Sequence, residues 1–174
     1  MQDYQVLIVG AGFAGSEAAY RLAQRGVRVG LLTQSLDSVM MPFLPPMPPF
    51  PEGSLLAQVY HPADPRLWAF HARAKYLLEN QPNLHLFQAT ASTTSQALGF
   101  RFLKREREVP QTPGTPGYTV SYHAFHPEEW EEATFRLTRL EGLYAVGLCV
   151  REGEYALMSQ EGLRLAEHLL HKLG

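Results

Sequence analysis

Cysteine is almost absent. The single thiol, Cys149, excludes an intrachain disulfide framework, and beside an apolar stretch it reads as a small buried hydrophobe rather than a reactive nucleophile. Long apolar runs are missing as well. None reaches the eighteen or so residues of a membrane-spanning helix, and Met1-Gln2-Asp3-Tyr4 lacks the basic region and cleavage site of a signal peptide. The expectation is a soluble, cytoplasmic protein that enters no membrane. Nor is positive charge in excess: 15 Lys and Arg against 17 Asp and Glu leave a formal net charge of −2, which argues against a broadly basic nucleic-acid surface. Metal-ligand spacing is also lacking. His123 and His126 have no cysteine partners and no HExxH-type spacing. The acids that follow His126-Pro127 read better as the first turn of a short helix, so no metal is expected.

What is present can build a core. At 174 residues and 45% hydrophobic content, the whole chain, 1–174, is read as one domain. Its centre is Val6-Leu7-Ile8-Val9-Gly10-Ala11-Gly12-Phe13-Ala14-Gly15, an apolar strand that turns into a helix through three spaced glycines. Gly10 serves the tight turn, Gly12 lets the backbone approach a pyrophosphate, and Gly15 allows close helix-on-strand packing. The first N–H groups of a helix lack intrahelical partners and carry partial positive charge, which makes this loop an anion site. Ala14, Ala18, Ala19, Leu22 and Ala23 continue at helical spacing, Gly26 is placed to stop the helix at C′, and Val27 to Leu32 supplies a second strand. The carboxylate expected about twenty residues beyond such a loop, to hold a ribose hydroxyl, is replaced by Thr33-Gln34-Ser35. Those side chains still hydrogen-bond a ribose, without a carboxylate's charge.

Met41 to Pro51 is so rich in proline that neither a helix nor a central strand fits. It is a polyproline-like loop, or else its methionines and phenylalanines cover a flat cofactor or dock a protein partner or second copy. Asp64-Pro65 reads as N-cap and first helical residue. Leu67, Phe70, Ala74, Leu77 and Leu78 give that helix an apolar face to about Glu79. Trp68, His71, Arg73 and Lys75 lie on its other faces, solvated or partly packed, or else form a contact surface for an anionic substrate. Leu84 to Thr90 is a third strand, expected beside the first, with its carboxyl end toward an adenosine. Gly99 to Leu103 and Tyr118 to Tyr122 read as further strands, with Lys104 to Glu108 a solvated strand end between them. Leu143 to Gly147 reads as a compact strand, and Tyr155 to Leu170 as an amphipathic closing helix. The pattern is α/β: a Rossmann-like fold around a central, mostly parallel sheet, shortened in the middle.

Three stretches resemble the glucose-inhibited division protein A family, flavoproteins that modify the wobble uridine of transfer RNA. They are the opening strand-helix-strand unit ending Leu31-Leu32-Thr33, the run from Leu77 to Gln88, and Gly142 to Gly147 with Gly153-Glu154-Tyr155. The resemblance implies FAD. Its pyrophosphate would lie on Gly10, Gly12, Phe13, Ala14 and Gly15, its ribose near Thr33 and Gln34, and its adenine by Gln88, Ala89 and Thr90. Gly147 and Leu148 would approach the pyrophosphate and ribityl region, and Gly153, Glu154 and Tyr155 the flavin ring. The family's inserted substrate domain and helical tail have no counterpart in these residues. Where the family carries cysteine, asparagine and proline, this sequence has Met40-Met41-Pro42. The expected activity is a flavin oxidoreductase with an external donor such as NAD(P)H, and no catalytic base or nucleophile stands out. The alternatives are a non-catalytic FAD- or nucleotide-binding module, and a minimal participant in wobble-uridine modification, although the sequence itself does not support transfer RNA binding.

Overall fold

The computed structural model describes residues 3–89, 99–111, 113–114 and 116–174. Within the chain read above as one domain, these residues cluster into two compact units: 3–89 with 153–174, and 99–152.

The first unit is built on a parallel sheet of β1 (Val6–Val9), β2 (Val29–Thr33) and β3 (Leu84–Gln88). The third strand is not beside the first. It pairs with β2, from Val29 opposite Leu84 to Thr33 opposite Gln88, and β2 pairs with β1 on its other side. The burial explains the order: β2 is closed along nearly its whole length, whereas β1 and β3 contain exposed positions. A strand buried on both faces belongs in the middle.

Helix α1 (Phe13–Gln24) buries its alanines together with Leu22. It ends as the sequence predicts, with Gly26 at φ +85°. The Gly26 N–H donates to the Ala23 carbonyl at 3.0 Å and the Val27 N–H to the Leu22 carbonyl at 3.1 Å, a Schellman closure. Helix α2 (Leu55–Val59) is capped by the Ser54 hydroxyl. Helix α3 (Leu67–Asn80) starts later than Asp64-Pro65 predicts, with Arg66 at the N-cap. The Asp64 carboxylate accepts hydrogen bonds from the Arg66 and Arg73 guanidinium groups instead, so it is not free to cap.

Helix α4 (Tyr155–Leu173) packs on α1 through Gly162. A Cβ at Gly162 would stand 2.3 Å from the Ala14 carbonyl oxygen, so only glycine lets α4 approach the first turn of α1 this closely. The proline-rich stretch forms no helix or strand, as expected. It is tied to the unit at its start: the Met40 N–H donates to the Ala11 carbonyl at 2.9 Å, and the Tyr155 hydroxyl oxygen accepts from the Phe43 and Leu44 N–H groups at 2.8 and 3.2 Å.

The second unit contains an antiparallel pair, β4 (Phe102–Val109) and β5 (Tyr118–Phe125). The charged run Lys104 to Glu108 is therefore the body of a strand and not its end. A short pair follows, β6 (Trp130–Glu131) and β7 (Arg136–Leu137). Leu143 to Gly147 does not form the predicted strand. Only Tyr144 bridges Arg136; the Leu143 carbonyl and Ala145 N–H are bound by Leu137 and Phe135, and the Ala145 carbonyl accepts from the Trp130 indole at 3.0 Å. The first two of these bonds are the antiparallel bridge itself, and with the Ala145 carbonyl taken by the indole the pairing goes no further among the described residues. Phe100, Leu137, Ala145 and Val150 form the core there. Glu129 is buried as well, with its charge matched: Arg139 first, then Arg101, bond its carboxylate and hold it at a pKa of about 2.

Candidate functional site: a cleft at the carboxyl ends of the parallel strands

In the first unit, three loops leave the carboxyl ends of β1, β2 and β3 side by side, the usual ligand position in an open α/β sheet. They enclose a cleft of about 310 Å³ lined by Val9, Gly10, Ala11, Gly12, Leu32, Thr33, Gln34, Ser38 and Ala89. Backbone hydrogen bonds tie the loops together. The Gly10 N–H donates to the Leu32 carbonyl at 2.8 Å, the Ala89 N–H to the Thr33 carbonyl at 2.9 Å, and the Met40 N–H to the Ala11 carbonyl.

The three glycines differ in what they permit. Gly10 has φ +104°, a region that L side chains rarely adopt. A Cβ at Gly15 would lie 2.0 Å from the Gly10 carbonyl oxygen, so this glycine closes the turn against the helix. At Gly12 the backbone is ordinary, φ −74°, and a Cβ would meet no protein atom within 4 Å. Open space therefore lies before the α1 N-terminus, where the first N–H groups are available to an anion.

Below the loop the packing is tight. Phe13 is buried and stacks on Tyr155 with ring centroids 4.3 Å apart, and on Phe70 at 6.0 Å. Ala14 is buried beneath Gly162. These two residues thus offer the site backbone and not side chains. One turn further along α1, Glu17 is fully buried. It accepts from the Leu55 N–H at 2.7 Å, the Leu56 N–H at 3.3 Å and the Ser159 hydroxyl at 2.6 Å. Burial raises its carboxyl above the usual range, against the lowering effect of those bonds. Glu17 therefore joins α1, α2 and α4 beneath the loop.

The residues singled out from the sequence divide accordingly. Gly10, Gly12, Thr33, Gln34 and Ala89 line one cleft; Gln88 closes β3 next to Ala89. Gly153 precedes α4, Glu154 is its N-cap and Tyr155 its first residue, with the Tyr155 ring and hydroxyl taken up by Phe13 and the proline-rich loop. Gly147 and Leu148 lie in the second unit, in a short 3-10 turn that also contains Cys149. Thr90 falls outside the described residues. In the proline-rich loop Phe43 and Met47 are exposed, while Met40, just before it, is buried. On α3, His71 is buried with Nδ1 2.7 Å from the Val39 carbonyl oxygen, and Arg73 binds the Val59 carbonyl and Asp64, while Trp68 is exposed. Sequence reasoning missed Ser38. Its signal was the serine-rich turn Ser35-Leu36-Asp37-Ser38, whose hydroxyls fold a strand end back on itself.

Among known proteins, a family model described as "Glucose inhibited division protein A" matches residues 5–49, which include the glycine loop and β2. The chain is 32% identical over 117 residues to the tRNA uridine 5-carboxymethylaminomethyl modification enzyme MnmG of Alkaliphilus oremlandii, a stretch that is 49% of this chain and 19% of that enzyme. A similar match, 32% over 120 residues and 19% of the enzyme, is made to MnmG of Lactobacillus johnsonii. The chain spans about a fifth of the length of these enzymes. Among solved structures, the GidA-related protein from Thermus thermophilus superimposes with a TM-score of 0.92 at 55% identity, covering 98% of this chain and 100% of that one.

Proposed function

Because the chain belongs to the GidA-related family, we propose that it is an FAD-binding flavoprotein whose pyrophosphate site is the glycine loop Gly10 to Gly15. The observation that carries the reading is the open space at Gly12 before the α1 N-terminus, in a cleft at the strand ends. Its shape and donors suit a pyrophosphate: room for the anion, partial positive charge to meet it, and no acidic side chain lining the cleft among the described residues. The ribose would lie by the turn after β2, near Gln34 and Ser38, with the buried Thr33 hydroxyl holding that turn through the Ser35 carbonyl, and the adenine by the backbone at Gln88 and Ala89. FAD, when bound, supplies reversible two-electron transfer with a donor such as NAD(P)H.

A second reading is a module that binds FAD or an adenine nucleotide without turning it over. It is favoured by the lining of the cleft, which contains no ionisable side chain among the described residues, and by Tyr155, which is engaged with Phe13 and the proline-rich loop. The names of the relatives point to transfer RNA. For this chain, participation in uridine modification is tested by co-purification with transfer RNA or with a protein partner.

The first experiment is an absorption spectrum of the purified protein, followed by denaturation and chromatography of whatever is released. Bands at about 370 and 450 nm, as expected of oxidised flavin, together with released FAD support the flavoprotein reading. Bleaching of those bands by NADH or NADPH separates the oxidoreductase from the binding module. A colourless protein that fails to take up added FAD refutes both.

A further inference from the structure

We propose that the exposed face of α3 is a self-association surface, on which a second copy of this chain lays its own α3 antiparallel across a two-fold axis through Ala72. The surface is independent of the cofactor cleft. It arises from how α3 divides its faces. Phe70, His71, Ala74 and Leu78 are buried. Trp68, Ala72 and Tyr76, each four residues from the next and so stacked along one stripe, are exposed. The two aromatics are 59% and 66% exposed, and neither the Trp68 indole N–H nor the Tyr76 hydroxyl makes a hydrogen bond among the described residues. Large rings left in water along one helix face mark an interaction site.

The face is complementary to itself. Ala72 lies midway between Trp68 and Tyr76, so a two-fold axis through it sets each Trp68 against the partner's Tyr76. The small side chain at the crossing lets the helices come close. Beside Tyr76 the surface is hollow: Gln58 of α2 and Ala72, Arg73, Tyr76 and Leu77 of α3 line a cavity of about 370 Å³. Arg73 gives it a fixed wall, because its guanidinium is bound to the Val59 carbonyl and Asp64 at 2.8 and 3.1 Å. The hollow lies on the side of Ala72 that the partner's Trp68 meets in this register. Each chain therefore carries one knob and one hole, and a single isologous contact fills both.

Charge follows the same symmetry. Arg66 stands six residues before Ala72 and Glu79 seven after it, and both are exposed. Antiparallel helices bring each Arg66 to the partner's Glu79, whereas parallel helices would set like charges side by side. Arg66 binds Asp64 through Nε and Nη2, which leaves N–H donors for a second carboxylate.

The test is sedimentation equilibrium of the full chain across the micromolar range, with thermal melting of the dilute, monomeric form as the check on folding. The wild type should dimerise with a Kd on the order of micromolar, as small interfaces with a few aromatic anchors do. Trp68→Ala should weaken the dimer more than about thirtyfold. Ala72→Arg, which sets two cations together on the axis, should leave a monomer at every concentration. It should melt as the wild type does, because Ala72 is exposed and arginine is nearly as good a helix former. Arg66→Glu and Glu79→Arg should each weaken the dimer about tenfold by opposing like charges. An equimolar mixture of those two variants should associate as the wild type does, since the mixed dimer restores both ion pairs. A wild type that stays monomeric throughout overturns the proposal and gives this face to a different protein. A dimer that survives Ala72→Arg, or a mixture no tighter than its components, overturns it as well.

Discussion

Gly12→Val separates the ligand site from the fold with one substitution. The backbone at Gly12 is extended and unstrained, and its Cβ direction is empty to 4 Å, so the protein itself has room for the side chain. The remaining folding cost is the change of N-cap residue, about 1 kcal/mol. The valine methyl groups would stand in the space assigned to the pyrophosphate. A ligand present at a hundred times its Kd stabilises the native state by about 2.7 kcal/mol. For a chain of this size, that corresponds to a rise of roughly 5–10 °C in Tm. The wild type should show that rise on adding FAD, and Gly12→Val should show none while melting only slightly earlier without ligand. Gly15→Ala is the contrasting variant. Its Cβ would be forced to 2.0 Å from the Gly10 carbonyl oxygen, and overpacking of that kind costs about 3 kcal/mol or more, so the apo protein itself should melt early. The assay is thermal melting with and without FAD, paired with cofactor content by absorption. A Gly12→Val protein that stays yellow and keeps its FAD-dependent shift would refute the placement of the ligand.

The remaining predictions concern the framework. Gly162→Ala should push α4 away from Ala14, lowering stability by about 1–3 kcal/mol and reducing FAD retention; unchanged melting would contradict the packing. Tyr155→Phe keeps the stack on Phe13 but removes the acceptor for two backbone N–H groups, so limited proteolysis should cut the proline-rich loop faster, and wild-type cleavage kinetics would count against the tether. Two buried glutamates should bend the pH dependence of stability in opposite senses. Glu17 has a raised folded pKa, so its ionised form is a burden that is relieved as pH falls through that value toward 4.5; Glu17→Gln should flatten denaturation midpoints across that window. Glu129 has a lowered one, so its contribution is complete above 4.5 and is lost as pH falls toward about 2. In Glu129→Gln, melting curves should show no such acid loss from this position.

Local chemistry made the first unit legible. Three glycines at fixed spacing, a run of alanines and a C′ glycine each act within a few residues, so α1 and its flanking strands were readable without tertiary information. Strand order was not: β3 joins β2 because β2 is closed on both faces, a property of the folded sheet. Asp64 looks like a cap until Arg66 and Arg73 compete for its carboxylate, and Arg73 lies nine residues away. Leu143 to Gly147 has a strand's composition, but its pairing stops at the one bridge to Arg136, where the Trp130 indole takes the Ala145 carbonyl. In the cleft, Thr33 and Gln34 could be named from their place after β2. That Thr33 is buried and bound to the Ser35 carbonyl while Gln34 is exposed is a property of the folded turn, which a sequence does not display.

The segment that carries α4 is separated from α1 by the whole second unit, yet Gly162 and Ser159 meet the first turns of α1 at Ala14 and Glu17. On the ribosome, where chains emerge at about 5–20 residues per second, the glycine loop therefore waits for more than a hundred later residues before its supporting helix exists. During that interval Glu17 has no Ser159 to bind, and the alanine face of α1 lacks its cover. The nascent chain thus passes through a stage in which the glycine loop has been made but not yet braced. Translation that stalls before Gly153 would release a product carrying the glycine loop and the strand ends without the helix that packs beneath them.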